Sequence, residues 1–256
     1  MYLTTCDNPS DLIAFLKSDY ANNLYFFTYL SEMHHNPATK ILIAKLRGEI
    51  VAAILLTSVH CCISASNTKI IPSLADQLPS VDSIHVVGRS DLVEYLLQVC
   101  KGPERDKHSY ALCEYSWVAA PEYLKTESRK ASKTDLNDLI DFYNRNDMLI
   151  DAENRLPAIL SWGRVYLVEK DDKMVSCALT TTETDDAAMI GSVYTIPDFR
   201  NQGHARDCVF NLCQDLISNR KRPYLFYRED NNSLRKLYYC LGFRQINTWI
   251  LATRIN

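Results

Sequence analysis

Glycine is scarce, with seven in 256 residues. That scarcity excludes a collagen-like repeat and leaves no room for a long flexible linker. No apolar run reaches the length of a membrane span. The nearest approach, Val51–Val59, stops after nine residues against His60-Cys61-Cys62 and reads as a buried strand. Met1–Pro9 holds neither a basic n-region nor an apolar h-region, so no signal peptide is expected. Metal-ligand spacings are missing too. None of the nine cysteines (6, 61, 62, 100, 113, 177, 208, 213, 240) forms a CxxC pair, and the six histidines form no HxH or HExxH pattern. His34-His35 precedes Asn36-Pro37 and reads as a helix-end loop. The cysteine count is odd, and adjacent Cys61 and Cys62 would face opposite sides of a strand. Reduced thiols used as small hydrophobes, a cytoplasmic location and no metal are the expectation.

Strong net charge is also absent. The balance is −3 overall, which argues against generic nucleic-acid affinity; neither nucleic acid nor membrane is expected as a partner. The distribution says more than the total. Residues 1–126 carry ten Lys+Arg against thirteen Asp+Glu, and residues 127–256 carry eighteen of each. Within that second half, residues 200–256 hold ten basic and four acidic side chains, a local excess of +6. A small polyanionic ligand would suit that stretch.

What is present is alternating strand and helix periodicity. A helix is expected over Pro9–Met33, broken at Asn22-Asn23, then a hairpin of Ile41–Leu46 and Ile50–Leu56 around Arg47-Gly48-Glu49. Ser83–Val87 reads as a strand, Asp91–Cys100 as a helix with Ser90 or Asp91 as N-cap, and Tyr110–Val118 as a strand. A new unit starts near Thr126. It opens with a strand over Ser128–Ser132, then a helix over Asp135–Arg145 capped by Thr134. Val165–Glu169 and Met174–Thr180 flank Lys170-Asp171-Asp172-Lys173 as a second hairpin. Ala187–Thr195, Tyr224–Tyr227 and Thr248–Thr253 read as strands, His204–Ser218 and Ser233–Leu241 as helices. The fold class is α/β, a mixed sheet covered by helices. Two tandem domains are expected, 1–126 and 127–256, and the first faintly echoes the element order of the second.

One segment carries chemistry. The strand Ala187–Thr195 stops at a polar loop, Ile196–Gly203, and a helix follows with Ala205, Val209, Leu212, Cys213 and Leu216 on its apolar face. A helix start exposes unpaired backbone N–H groups and the positive end of the macrodipole. Gly203 lets a ligand approach the backbone, small Ala205 keeps the first turn clear, and Arg200 and Arg206 add charge. A plain strand–loop–helix connection would look similar from these residues alone.

Arg200-x-x-Gly203-x-Ala205 matches the R/Q-x-x-G-x-G/A acetyl-CoA motif of the GNAT N-acetyltransferase superfamily. Asn231-x-x-Leu234-x-x-Leu237-Tyr238-x-x-x-Gly242-Phe243 resembles its second signature, N-x-x-A-x-x-L-Y-x-x-x-G-F. The wording Val-Tyr-Thr-x-Pro before the first motif looks like a bacterial subgroup of acetyltransferases with an extra N-terminal domain. The resemblance is strong over about 160–256, fair over 127–160 and faint over 1–126, where it implies a degenerate GNAT-like domain. It implies acetyl-CoA as co-substrate and a small-molecule or peptide amine as acceptor. It implies pantetheine pairing with the backbone of Val193, Tyr194 and Thr195. Arg200, Asn201, Gln202, Gly203, His204, Ala205 and Arg206 would hold the pyrophosphate, Asn231 would lie beside the pantetheine, and Tyr238 would act as general acid. A half-buried aromatic on the helix face is the alternative for Tyr238. Tyr239 faces elsewhere by helical geometry.

The sequence departs from the pattern in places. The signature Ala is Leu234. The positions where the family often places a basic carboxylate look like Ile190 and Phe226, neither of which takes a proton; water, Tyr166, Tyr227 or Glu183 would have to serve. Acceptor contacts are expected from Asp147–Arg155, where Asp147, Asp151 and Glu153 could attract a cationic amine. A coenzyme-A-binding protein without turnover stays open beside the enzyme reading.

Overall fold

The computed structural model describes residues 3–5, 9–30, 39–57, 60–75, 83–99, 104–116, 127–149 and 151–255. Cys6, Cys100, the His34–Pro37 loop and most of the junction expected near 120–127 lie outside them. The chain divides into two compact units with interleaved boundaries. Met1–Leu112, Tyr227–Asn231 and Gln245–Asn256 form one, and Cys113–Phe226 with Asn232–Arg244 form the other.

The elements run, in chain order, β1 (Leu3–Thr5), α1 (Pro9–Lys17), α2 (Tyr20–Leu30), β2 (Lys40–Leu46), β3 (Glu49–Leu56) and β4 (His60–Ala65). Then come α3 (Pro72–Ala75), β5 (Ser83–Arg89), α4 (Ser90–Val99), β6 (Glu104–Tyr115), β7 (Arg129–Lys130), α5 (Leu136–Asn146), α6 (Ala152–Trp162), β8 (Val165–Lys170) and β9 (Lys173–Glu183). The chain closes with β10 (Ala187–Thr195), α7 (His204–Ser218), β11 (Arg222–Arg228), α8 (Asn232–Leu241) and β12 (Phe243–Ile255).

In the first unit β1, β2, β3 and β4 are antiparallel neighbours. β4 and β5 then run parallel from His60↔His85 to Ile63↔Gly88, and β12 closes antiparallel on β5 from Trp249↔Arg89 to Ile255↔Ser83. The apolar face of this sheet buries Ile54, Ile63, Ile71, Leu74, Val93 and Ile250 together. The first helix breaks at Ser18–Asp19, not at Asn22-Asn23 as the sequence suggests. Asn23 is buried inside α2, where its amide Nδ2 donates to the Leu16 carbonyl at 2.9 Å. That bond satisfies an orphan carbonyl at the end of α1, so the polar residue ties the two helices instead of ending one.

In the second unit β11, β10, β9, β8 and β7 lie side by side. β8 and β9 are joined by Asp171 and Asp172 at φ 50° and 56°, the left-handed pair that a two-residue hairpin needs. α5, α6 and the sheet enclose Leu139, Tyr143, Leu156, Ile159, Leu167 and Leu179. The cap before α5 is a capping box of Ser132 and Asp135, with Arg129 holding the Asp135 carboxyl down at about 2. Thr134, the expected cap, only shares a 2.7 Å hydroxyl contact with Ser132. The stretch read as an acceptor loop, Asp147–Arg155, is not all loop: Ala152–Arg155 form the first turn of α6, and Asp147 and Asp151 before it are left-handed; Ile150 lies outside the described residues. Pro157 inside α6 obscures that helix in the sequence.

One element order occurs twice along the chain: β2, β3, β4, β5, α4, β6 and then β8, β9, β10, β11, α8, β12, although most of β12 belongs to the first unit. Where the second unit has the 15-residue α7, the first has, among the described residues, a single turn at Thr68–Ile70 and the four-residue α3.

A buried ionic cluster ties the ends of β8 and β9 to α7. Arg164 donates to Glu183 and, at 2.9 Å, to Asp215. Lys221 reaches Glu183 at 2.8 Å, Lys130 reaches Asp215 at 2.7 Å, and the Tyr166 hydroxyl donates to Asp215 at 3.1 Å. Glu183 is only 3 % exposed, so removing a partner leaves charge in a poorly solvated place. Arg164→Met should lower stability by about 3 kcal/mol, or roughly 6–12 °C in Tm. A thermal melt that does not move would show the cluster to be solvated surface.

Candidate functional site

β10 changes character along its length. Its first four residues are buried and pair parallel with β11, from Ala187↔Arg222 to Ile190↔Leu225, where the ladder ends. Beyond that point the strand carries a bulge. Gly191 sits opposite Leu179 and Tyr194 opposite Cys177, so Ser192 and Val193 together face Ala178. Ser192 is left-handed, at φ 47°, which costs roughly 1–2 kcal/mol for a residue with a side chain. Such strain persists where surrounding contacts hold it. Here the buried Tyr143 hydroxyl donates to the Ser192 carbonyl at 2.9 Å. Burial pushes the Tyr143 pKa well up, so the hydroxyl stays a donor. The bulge is absent from the sequence reading. Gly191 is its signal: a Cβ there would meet Thr181 Cγ2 at 2.7 Å, and an isolated glycine within a strand marks bulges and close backbone approach.

After Thr195 the chain makes a short turn at Pro197–Phe199 and reaches α7 through Asn201 at φ 60° and Gly203 at φ 92°. Gly203 is the N-cap, and the first intrahelical bond runs from the Asp207 N–H to the Gly203 carbonyl at 3.0 Å. With no side chain, this cap contributes no acceptor to the donor-rich helix start. A Cβ added at Gly203 would meet nothing within 4 Å. The helix start therefore fronts open space and presents the positive dipole end to it.

The same helix is strapped from behind. Residues 204, 207, 211 and 215 form one face of α7, and each touches the segment leading into or through β7. His204 Nδ1 lies 3.2 Å from Glu127 Oε2, and Glu127 N–H donates to Asp207 Oδ2 at 2.8 Å. Asn211 donates to Ser128 Oγ at 2.7 Å, and Lys130 pairs with Asp215. Lys170 adds a second cation to Glu127 at 3.0 Å. His204 is 1 % exposed. Its imidazole is thus anchored in the strap, and only its backbone is placed to serve a ligand.

The other residues singled out in the sequence fall as follows. Val193, Tyr194 and Thr195 are half-buried at the end of β10. Arg200 folds back on them: Nε donates to the Thr195 carbonyl at 3.0 Å, and the guanidinium stands 5.4 Å from the Tyr194 ring centroid. Asn201 and Gln202 are exposed, with Gln202 Nε2 donating to the Asp198 carbonyl at 3.2 Å, and Ala205 and Arg206 are half-buried in the first turn of α7. Asn231 lies just before α8, its N–H on the Arg228 carbonyl at 2.9 Å. Tyr238 is buried, 5.9 Å from the Phe243 centroid, and burial raises its pKa, with Cys113 and Cys213 adding to the rise. Tyr239 is 61 % exposed beneath the Arg244 guanidinium, which lies 4.0 Å from its ring.

Ile190 is 2 % exposed and Phe226 half-buried, so no carboxylate stands at either position. Glu183 and Tyr166 do not substitute. Both belong to the ionic cluster, and Glu183 pairs with Ala188, about 20 Å of strand from Thr195. Among the described residues no group of three His, Cys, Asp or Glu side chains is placed to hold a metal, and no helix is long and apolar enough to cross a membrane.

The family described as FR47-like protein matches residues 168–250. No curated protein matches the chain. Among solved structures, a GNAT-family acetyltransferase from Colwellia psychrerythraea is similar over 100% of both chains at 11% identity and TM-score 0.65. A Drosophila protein is similar over 99% of this chain and 98% of its own at 10% identity and TM-score 0.69. A GCN5-related N-acetyltransferase from Sphaerobacter thermophilus is similar over 85% and 80% at 14% identity and TM-score 0.59. At these identities the likeness is one of fold, and it extends through both units.

Proposed function

We propose, from the match of residues 168–250 to the FR47-like family and a fold like that of GNAT acetyltransferases, that this chain is a GNAT-superfamily protein and a cytoplasmic N-acetyltransferase using acetyl-CoA. The observation that carries the reading is the start of α7 at Gly203, which has no side-chain cap and faces open space. The residues fit the group. Backbone N–H groups of Gly203–Arg206 would take the pyrophosphate, with Asn201, Gln202 and the Arg206 side chain at its rim. Arg200 would move from the Thr195 carbonyl to the phosphates as the pantetheine pairs with the Val193–Thr195 edge. Asn231 would lie beside that arm. Acetyl-CoA supplies an activated acyl thioester when bound. The chain's own groups would position it and return a proton from Tyr238 Oη to the departing sulfur, while the proton lost by the attacking amine would pass to water, since Ile190 and Phe226 accept none.

The acceptor is a primary amine, on a small molecule or a peptide, drawn by Asp147, Asp151 and Glu153 around the turn before α6. The first half, 1–126, is proposed as a degenerate domain of the same kind, since its α7 counterpart is a single turn and a four-residue helix. The apolar side chains at 190 and 226 favour one other reading, a coenzyme-A-binding protein without turnover. Thiol release from acetyl-CoA across a panel of amines separates the two. Amine-dependent release is the expected result, and coenzyme A binding with no release from any amine would establish the second reading.

A further inference from the structure

We infer that His60 and His85 form a binding site for a transition-metal dication of the zinc class, held by two imidazoles and completed by water; the inference is independent of the acetyltransferase reading. The two residues are the first pair of the parallel β4–β5 ladder, so their side chains stand side by side on one face of the sheet. Their ring centroids are 5.5 Å apart. Two imidazoles that share a tetrahedral Zn²⁺, each nitrogen at about 2.0–2.1 Å from it, hold their ring centres roughly 5–5.5 Å apart. The pair therefore already has the spacing of a chelate. His85 also has the support that a ligating histidine usually has, since its Nδ1 lies 3.0 Å from Thr253 Oγ1 on β12. With Nδ1–H donated to that hydroxyl, Nε2 carries the lone pair. Among the described residues neither Nε2 of His85 nor either ring nitrogen of His60 has a hydrogen-bond partner. Both side chains are half-buried, which leaves the outer positions of the ion to water. Burial and the neighbouring His85 lower the His60 pKa, so the ring rests in the neutral form that binds metal. The Tyr25 ring packs edge-on against His60 at 6.2 Å. The expectation of no metal came from the spacing of ligands in short motifs, whereas this pair is brought together by strand pairing. The ion would clip β4 to β5 where their ladder begins.

The test is calorimetric titration of the full chain with Zn²⁺, beside His60→Gln and His85→Gln, each first stripped of metal with a chelator. Wild type should take up one ion with a Kd of about 10 µM, and either variant should bind about 100-fold more weakly, because one imidazole alone is no chelate. Thr253→Val should weaken binding about tenfold, as loss of the partner behind a ligand does. A second measurement needs no variant. In histidine-labelled wild type, the ring resonances of His60 and His85 should move with Zn²⁺ while those of the other four of the six histidines stay put. It decides the matter if a variant does not fold. Wild type that takes up no Zn²⁺ at about 0.3 mM, well above the expected Kd, overturns the inference. So does equal binding by wild type and both histidine variants, or a set of shifting histidines that leaves out 60 and 85.

Discussion

Gly203→Glu should leave a folded protein that no longer binds coenzyme A. The space in front of Gly203 is empty of protein to 4 Å, so the new side chain meets no wall and the core is untouched. Two effects act against the ligand. The carboxylate projects into the volume a pyrophosphate would fill and can accept hydrogen bonds from the α7 start itself, as an ordinary N-cap does. It also sets a negative charge beside the phosphates. Losing one or two charge-assisted bonds of about 1.5–3 kcal/mol each, with repulsion added, amounts to at least a hundredfold in affinity. A residue with a Cβ at φ 92° also costs roughly 1–2 kcal/mol, so the melting temperature falls modestly. Gly203→Ala separates the two, since it carries the backbone cost without the charge. Calorimetry on both variants makes the check. Wild-type affinity in folded Gly203→Glu would move the cofactor away from α7.

Tyr238→Phe should abolish most turnover and little else. The residue sits two turns into α8, buried at 5 % exposure, with its pKa raised by that burial. A raised pKa keeps the phenol protonated and also makes it a weaker acid than free tyrosine, so a donor role asks for the departing thiolate to stand directly against Oη. The variant retains the ring against Phe243 and removes only the hydroxyl. If the hydroxyl is the acid, turnover drops by roughly 10²–10⁴-fold, with coenzyme A affinity unchanged. If the hydroxyl serves packing, the melt shifts and the rate does not. The burial sharpens the contrast, because a polar group lost from such a place shows in stability when stability is its role. Steady-state rates and a thermal melt on the same preparation decide between them.

Legibility of the fold followed local chemistry. Ala187–Thr195 and His204–Ser218 could be bounded from sequence because Pro197, the polar loop and Gly203 punctuate them, and both strand and helix hold those bounds. The hairpin turn at Asp171-Asp172 was readable for the same reason. β4 and α6 were not. β4 follows β3 after a short connection and shares its apolar run, so the two look like one strand and a cysteine cluster. α6 hides behind Pro157 and an acidic start. In the candidate site, sequence named only residues with a motif, and those defined by geometry alone were missed. Nothing in the sequence connects Tyr143 to Ser192, forty-nine positions later, or Glu127 to His204. Such pairs arise where a helix and a strand meet, and one chain read alone carries no record of the meeting.

The strand at the rim of the second unit, β7, is two residues long and both are cations, Arg129 and Lys130. It pairs with β8 at Leu167 and Tyr166, and the Ala131 N–H just beyond it donates to the Val165 carbonyl at 2.8 Å. β8 ends in Glu169 and Lys170, the first paired with Arg129 at 3.0 Å and the second with Glu127. A bare strand edge is a template for another chain, and proteins blunt it with brevity and charge. This rim has both. The apolar β-rich run Val165–Val168 would otherwise offer a seed for fibril-like stacking. Drift at positions 129 and 130 toward neutral residues would therefore show as precipitation in crowded solution.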